Sequence, residues 1–292
     1  MGLVAARELS EWMISQERTF ASAGEIARWL GCSQLQVPHR LRGARQAGEM
    51  VCVTTGGWVP ARNHRIWVDS FLDEMMRYLG HPYYVGYLTA ASIYGVTHQA
   101  IQTTTLATTA ALRTRSIGVH GMRFARKNDL ARFPTRKRQM VTGWGNSKKA
   151  LLLSTPEVTL LDLMERPKRR GGHIYLNVVA EMLDSRETIV PAPTDPDAPK
   201  LRQVSMVDPY ELADAAYLYG HSTRQRAGYV LDAMADYMGV EFDTDPLRST
   251  LPVNPRRVHY DTNIDEYDRE EGWVKIDDRW NVTQWREFDP DV

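Results

Sequence analysis

The chain has 292 residues, enough for two domains, and its 43% hydrophobic and 25% charged content is that of a folded protein rather than a low-complexity or collagen-like one. Lys+Arg and Asp+Glu both number 36, so the formal net charge is zero. The distribution is uneven: residues 1–65 carry eight basic and five acidic residues (net +3), residues 112–150 eleven and one (net +10), and residues 205–292 nine and nineteen (net −10). A basic middle and an acidic end imply either an anionic partner for the middle or docking of the two segments on each other.

The two cysteines, Cys32 and Cys52, have no second Cys or His at zinc spacing. A disulfide framework and a zinc site are therefore not expected, and both thiols are expected as small core residues of a protein in a reducing cytoplasm. Arg7, Glu8 and Glu11 break any secretory leader pattern, and no apolar run reaches membrane-spanning length.

Leu3 to Ser15 read as an amphipathic helix with Leu3, Leu9, Trp12 and Met13 apolar. Ser22 caps a second helix, with Glu25 three residues on to complete a capping box. Ile26, Trp29 and Leu30 fall on one apolar stripe, and Gly31 stops the helix. Ser33 offers another cap only two residues later, so the connection is a sharp turn. The following helix is expected to bury Val37 or Leu41 with Ala44. Its other face shows Gln34, Gln36, His39, Arg40, Arg42 and Arg45, and Gly48 ends it. Pro38 conflicts with a helix starting at Gln34, because a proline there costs about 3 kcal/mol. The helix is expected to begin nearer Pro38, with Gln34 to Val37 as an irregular lead-in. Met50, Cys52, Thr54 and Trp58 alternate around Gly56-Gly57, which signals a hairpin.

Helix, turn, helix and hairpin in this order read as a winged helix-turn-helix. A major groove admits one helix, and Arg and Gln suit bidentate contacts to guanine and adenine edges. The DNA-contacting set is expected to be Ser33, Gln34, Gln36, His39, Arg40, Arg42 and Arg45, with Thr54 and Thr55 from the wing. The blander alternative is a protein-binding module with a solvated polar face.

Ile66 to Leu79 form a connecting helix broken by Gly80-His81-Pro82. A helix follows over Thr89–Tyr94, ended by Gly95. Strands are expected from Ile101 through Thr109, over Ile117–Ala125, over Met140–Trp144 and over Ala150–Leu153. Pro156 opens a helix capped by Ser154 or Thr155, and Arg166-Pro167 closes it. Another helix covers Ile174–Leu183. Pro191 to Pro199 is an exposed loop, followed by helices over Pro209–Tyr219 and Arg224–Met238. Val258 to Phe288 reads as short strands and turns.

No specific active site emerges. Gly143 to Lys148 lacks the spacing of a phosphate loop and reads as a turn. Asp162, set among Leu160, Leu161, Leu163 and Met164, is expected to cap a neighbouring element or meet an arginine. The acidic cluster of Asp265, Glu266, Asp268, Glu270 and Glu271 near Lys275 leaves a second function open, a Mg²⁺-dependent nuclease targeted by the winged helix. The eight histidines show no metal-ligand pairing, and no cofactor is expected.

The winged helix joined to YLTAASIYGVTHQAIQTTTLATT and then to STPEVTLLDLMERPKRRGGHIYLNVVAEML resembles the AbiEi family of antitoxins, over roughly residues 20–240. Its most specific piece runs from Thr155 to Gly172. The resemblance implies one half of a type IV toxin–antitoxin pair linked to abortive phage infection. It implies a chain that binds inverted repeats in its own promoter and counteracts a nucleotidyltransferase-like toxin. Direct complex formation with that toxin stays open, as does dimerisation on DNA. The family's basic surface would correspond to Lys148, Lys149, Arg166, Lys168, Arg169 and Arg170.

The expected fold class is α+β: an N-terminal winged helix-turn-helix over residues 1–65, a helical connector over 66–82, and a larger mixed α/β antitoxin domain over 83–292 with an acidic extension. The expected protein is cytoplasmic, not an enzyme and without membrane contact.

Overall fold

The computed structural model describes residues 2–61, 68–97, 99–117, 120–141, 148–165, 174–184, 186–189, 201–260, 274–284 and 288. The chain is mixed α/β and divides by its contacts into two compact units. Unit 1 takes residues 1–85, 102–130 and 135–153, and unit 2 takes 86–101, 131–134 and 154–292.

In unit 1, α1 (Gly2–Ser15), α2 (Ala23–Leu30), α3 (Val37–Arg40) and α4 (Arg42–Gln46) surround a small apolar core. Leu9, Met13, Ile26, Val37, Leu41, Ala44, Met50 and Trp58 are all buried there. Three strands close it: β1 (Ala21–Ser22), β2 (Met50–Thr54) and β3 (Gly57–Pro60), in the order β1-β3-β2. Then α5 (Val68–Leu79) buries Phe71, Leu72, Met75 and Met76.

The rest of unit 1 is a mixed sheet. Its strands are β4 (Tyr83–Val85), β5 (Thr103–Thr108), β6 (Arg115–Ile117), β7 (His120–Arg126), β8 (Thr135–Val141) and β9 (Lys148–Ser154). Their order is β6-β7-β5-β4-β9-β8. Strands β5 and β7 run parallel from Thr103 opposite Gly121 to Thr108 opposite Arg126, β4 pairs antiparallel with β5, and Val85 meets Leu153 in parallel. The strand expected over Ile117–Ala125 is two, β6 and β7, paired antiparallel. The strand expected from Met140 begins instead at Thr135. Its TRKRQ start shows no alternation because Arg136, Lys137, Arg138 and Gln139 are all exposed on an edge strand, where charge also guards against edge-to-edge pairing.

Unit 2 is built on α7 (Pro156–Glu165), in which every residue from Pro156 to Met164 is buried. A helix buried all round has no polar stripe, so its sequence shows no 3.6-residue alternation. Against it pack α6 (Tyr87–Tyr94), α8 (Ile174–Leu183), α9 (Pro209–Ala216) and α10 (His221–Met238). The short α11 (Asp245–Ser249) packs on α9 and α10. Among the described residues the unit also holds two small sheets, β10 (Arg186–Ile189) with β11 (Leu201–Val204), and β12 (Val258–His259), β14 (Val282–Gln284) and β13 (Lys275–Asp277) in that order. No described helix is long and apolar enough to cross a membrane.

Candidate nucleic-acid interface

The first helix of the candidate pair is fixed at both ends. The Ser22 hydroxyl accepts from the Glu25 backbone N–H at 3.2 Å, and the Glu25 carboxylate accepts from the Ser22 N–H at 2.8 Å. Arg18 Nη2 donates to the same carboxylate at 2.5 Å. Burial alone would push the Glu25 carboxyl up. The bonds from Arg18 and Ser22 and the charge of Arg18 outweigh it and hold the carboxyl below its usual range. At the other end Gly31 adopts a left-handed φ of 60°, and the Cys32 N–H reaches back to Ala27 O at 3.0 Å.

After Gly31 the chain makes a 3₁₀ turn over Gln34–Gln36, and α3 starts at Val37 with Pro38 in its first turn. Proline costs little there, because the first N–H groups of a helix have no intrahelical partner. A bend at Leu41 separates α3 from α4, but the bonds from Leu41 N to Val37 O and from Arg45 N to Leu41 O (both 2.9 Å) carry the helix across it.

Val37, Leu41 and Ala44, at i, i+4 and i+7, are fully buried. At 3.6 residues per turn the opposite stripe holds His39, Arg42 and Gln46, with Gly43 among them. His39, Arg42 and Gln46 are exposed. Arg40 and Arg45, also exposed, lie on the two flanks. The arrangement offers one Arg and one Gln at the outermost line and a cation on either side. Sequence reasoning missed Gln46, which the buried i, i+4, i+7 stripe would have located once Pro38 had fixed the helix start.

Other expected residues are placed less favourably. Ser33 is exposed, and its backbone N–H donates to Gln36 Oε1 at 3.2 Å, so the Gln36 amide serves the turn. Gln34 lies over Gly24, where a β-carbon would come within 2.9 Å of its Nε2. Thr54 is only 2% exposed and is withdrawn from the contacting set. Its burial follows from the hairpin turn: a β-carbon on Gly57 would meet Thr54 Cγ2 at 2.5 Å and the Phe20 ring at 2.6 Å. The turn itself leans on the protein. Tyr78 Oη donates to Thr55 O at 3.3 Å, and the Ala23 N–H donates to Gly56 O at 2.6 Å. The Thr55 side chain is exposed.

The thiols also differ from expectation. Cys32 is half-buried and Cys52 is exposed, not core. The β2–β3 register shifts between Cys52 and Thr54, just past the Cys52–Trp58 pair, and the Cys52 Sγ donates to Thr54 O at 3.2 Å. Trp29, on the apolar stripe with Ile26, is 38% exposed and stacks on Trp12 at 6.3 Å.

The candidate antitoxin surface falls mostly outside the described residues. Lys148 and Lys149 open β9, but their side chains and all of Arg166, Lys168, Arg169 and Arg170 lie outside them. So do the acidic cluster Asp265 to Glu271 and, apart from Lys148, the turn expected over Gly143 to Lys148. Among the described residues, no group of His, Cys, Asp and Glu is arranged to hold a metal. Asp162 is fully buried and accepts from Tyr219 Oη at 2.8 Å. Glu157, 2% exposed, accepts the Asp208 N–H at 3.2 Å, while Asp208 caps α9. The Thr155 to Asp162 stretch thus ties α7 to its neighbours, and its polar residues are part of the core.

Residues 84–191 match the family model of the AbiEi antitoxin C-terminal domain. The resemblance to AbiEi-family antitoxins is thereby shown over that stretch, which draws on both units, and an antitoxin role in a toxin–antitoxin system follows from it. That family is regulatory rather than catalytic. No curated protein matches the chain. Among solved structures, the RV2827C protein from Mycobacterium tuberculosis is similar in fold, with 13% identity and a TM-score of 0.60 over 96% of this chain and 91% of that one.

Proposed function

We propose that this protein, with its AbiEi antitoxin domain, both counteracts a nucleotidyltransferase-like toxin as a type IV antitoxin and represses its own operon. In this reading residues 1–65 act as a winged helix-turn-helix that reads inverted repeats in the promoter. Residues 66–82 connect, and residues 83–292 carry the antitoxin function. The protein works in the cytoplasm, and pairing on two half-sites gives the inverted repeat its symmetry.

The observation that supports DNA reading most is the stripe of His39, Arg42 and Gln46 set directly opposite buried Val37, Leu41 and Ala44. A helix so anchored presents a rigid polar line of the kind a major groove accepts. Arg42 suits guanine O6 and N7, and Gln46 suits adenine N6 and N7. Arg40 and Arg45 flank the line where phosphates run, and supply affinity without sequence choice.

The test is binding of the full-length protein to its own promoter against scrambled DNA, read by mobility shift, with a promoter–reporter fusion in cells. Specific binding and repression are expected. Equal affinity for both duplexes, or a reporter indifferent to the protein, overturns the reading.

A further inference from the structure

The basic run that dominates residues 112–150 does not form one patch. Its parts lie at the two edges of the six-stranded sheet, Arg115 on β6 and Arg136-Lys137-Arg138 on β8. Five strand spacings of about 4.8 Å separate those edges by roughly 24 Å. The two ends of the run therefore cannot meet the same short stretch of ligand.

The β6 end lies beside the hairpin of the helix pair. Arg115 Nη1 donates to Val53 O at 3.3 Å. Val53 is the residue that the β2–β3 register shift leaves without a partner, so its carbonyl is available to a side chain. Arg115 shares its neighbourhood with Arg45 of α4. The thiol of Cys52 lies within electrostatic reach of both guanidinium groups, and its partial desolvation outweighs them and pushes its pKa up. Arg113, two residues before Arg115, is exposed, and no acidic residue occurs between Leu112 and Asn128. The cationic flank that begins at Arg45 thus continues across the hairpin onto the edge of the sheet.

We propose that Arg113 and Arg115 belong to the DNA-contacting surface, where they meet the phosphate backbone beside the groove that the α3–α4 helix enters. This rests on the DNA-reading role proposed above. It lengthens the footprint beyond the helix pair and gives Arg115 two tasks. One N–H pins β6 to the hairpin strand, and the rest of the guanidinium faces the phosphate. The β8 edge, with Arg136, Lys137 and Arg138, stays out of this contact.

The experiment measures binding of the full-length protein to a duplex of its own promoter by fluorescence anisotropy across a salt series. Arg113→Ala and Arg115→Ala are each expected to reduce the slope of log K against log salt by about 0.9. Both are expected to weaken promoter and scrambled DNA by the same factor. Arg115→Lys, which keeps the charge but not the fork, is expected to retain the slope. Arg136→Ala with Arg138→Ala is expected to leave the slope as in the wild type. Wild-type slopes in Arg113→Ala and in soluble Arg115→Ala, with specific binding intact, overturn this proposal alone. A lower slope in Arg115→Lys equal to that of Arg115→Ala reduces Arg115 to a latch and overturns its phosphate contact. Absence of promoter binding by the wild-type protein overturns the DNA-reading role and this extension with it.

Discussion

The indole of Trp280 fills the space beside Gly228, where a β-carbon would come within 2.2 Å of the ring. Trp280 is fully buried, and its Nε1 donates to Asp232 Oδ2 at 2.6 Å. Gln225, three residues before Gly228, donates to Arg256 O at 3.0 Å and Trp280 O at 2.8 Å. The C-terminal stretch is therefore part of the core of unit 2. Gly228→Ala should overpack this contact and destabilise the unit by about 1–3 kcal/mol. Urea unfolding followed by tryptophan fluorescence checks this, and an unchanged midpoint would contradict it.

Arg224 holds the same region together. It is 7% exposed and donates to four carbonyls, Ala216 O and Tyr219 O through Nε, Thr250 O through Nη1 and Tyr217 O through Nη2. Removing it leaves several buried acceptors without a donor, each costing about 1–3 kcal/mol. Arg224→Ala should therefore lower the unfolding midpoint more than Gly228→Ala does. Arg224→Lys should recover only part of the loss, since one ammonium cannot reproduce the planar fork. Equal stability of the Lys variant and the wild type would argue against this role.

Two carboxylates make opposite predictions for pH. The Glu25 carboxyl is held below its usual range, so the unfolded chain takes up the proton first as pH falls. Its contribution is present above the unfolded value and is lost as pH drops through the folded one. The gap between wild type and Glu25→Gln should therefore narrow in acid. Burial pushes the Asp69 carboxyl above its usual range, with His120 opposing. The folded state then keeps a proton that the unfolded chain has lost, and stability falls as pH rises between the two values. Asp69→Asn should flatten that fall and stabilise the protein at neutral pH. Denaturant midpoints measured across pH decide both signs.

Arg42→Ala and Gln46→Ala should each cost about 1–3 kcal/mol of discrimination between the promoter and a base-substituted duplex. Arg40→Ala and Arg45→Ala should weaken both duplexes alike. Thr54→Ser should leave DNA affinity unchanged and alter only stability, because Thr54 is buried. A shift assay with matched duplexes separates these outcomes.

The local signals that the sequence carried were those with short-range causes. The Ser22–Glu25 capping box, the left-handed Gly31 and the helix start near Pro38 depend on neighbours within a few residues. So does the helix over Ile174–Leu183. What the sequence hid depends on distant partners. Cys52 lies exposed although it pairs with buried Trp58, and Thr54 is covered because Phe20 and the hairpin turn close over it. Asp162 accepts from Tyr219, which comes from 57 residues away and leaves no local signal. The basic run read as one surface because nothing local shows that β6 and β8 lie at opposite edges of a sheet.

The central claim is that one chain neutralises a toxin while its α3–α4 helix separately governs DNA binding. The most direct measurement is growth of cells expressing the nucleotidyltransferase-like toxin, with this protein supplied from a foreign promoter as wild type or as Arg42→Ala. Both forms are expected to restore growth, the variant as fully as the wild type. Failure of the wild type to restore growth, with the protein soluble and abundant, would contradict the claim.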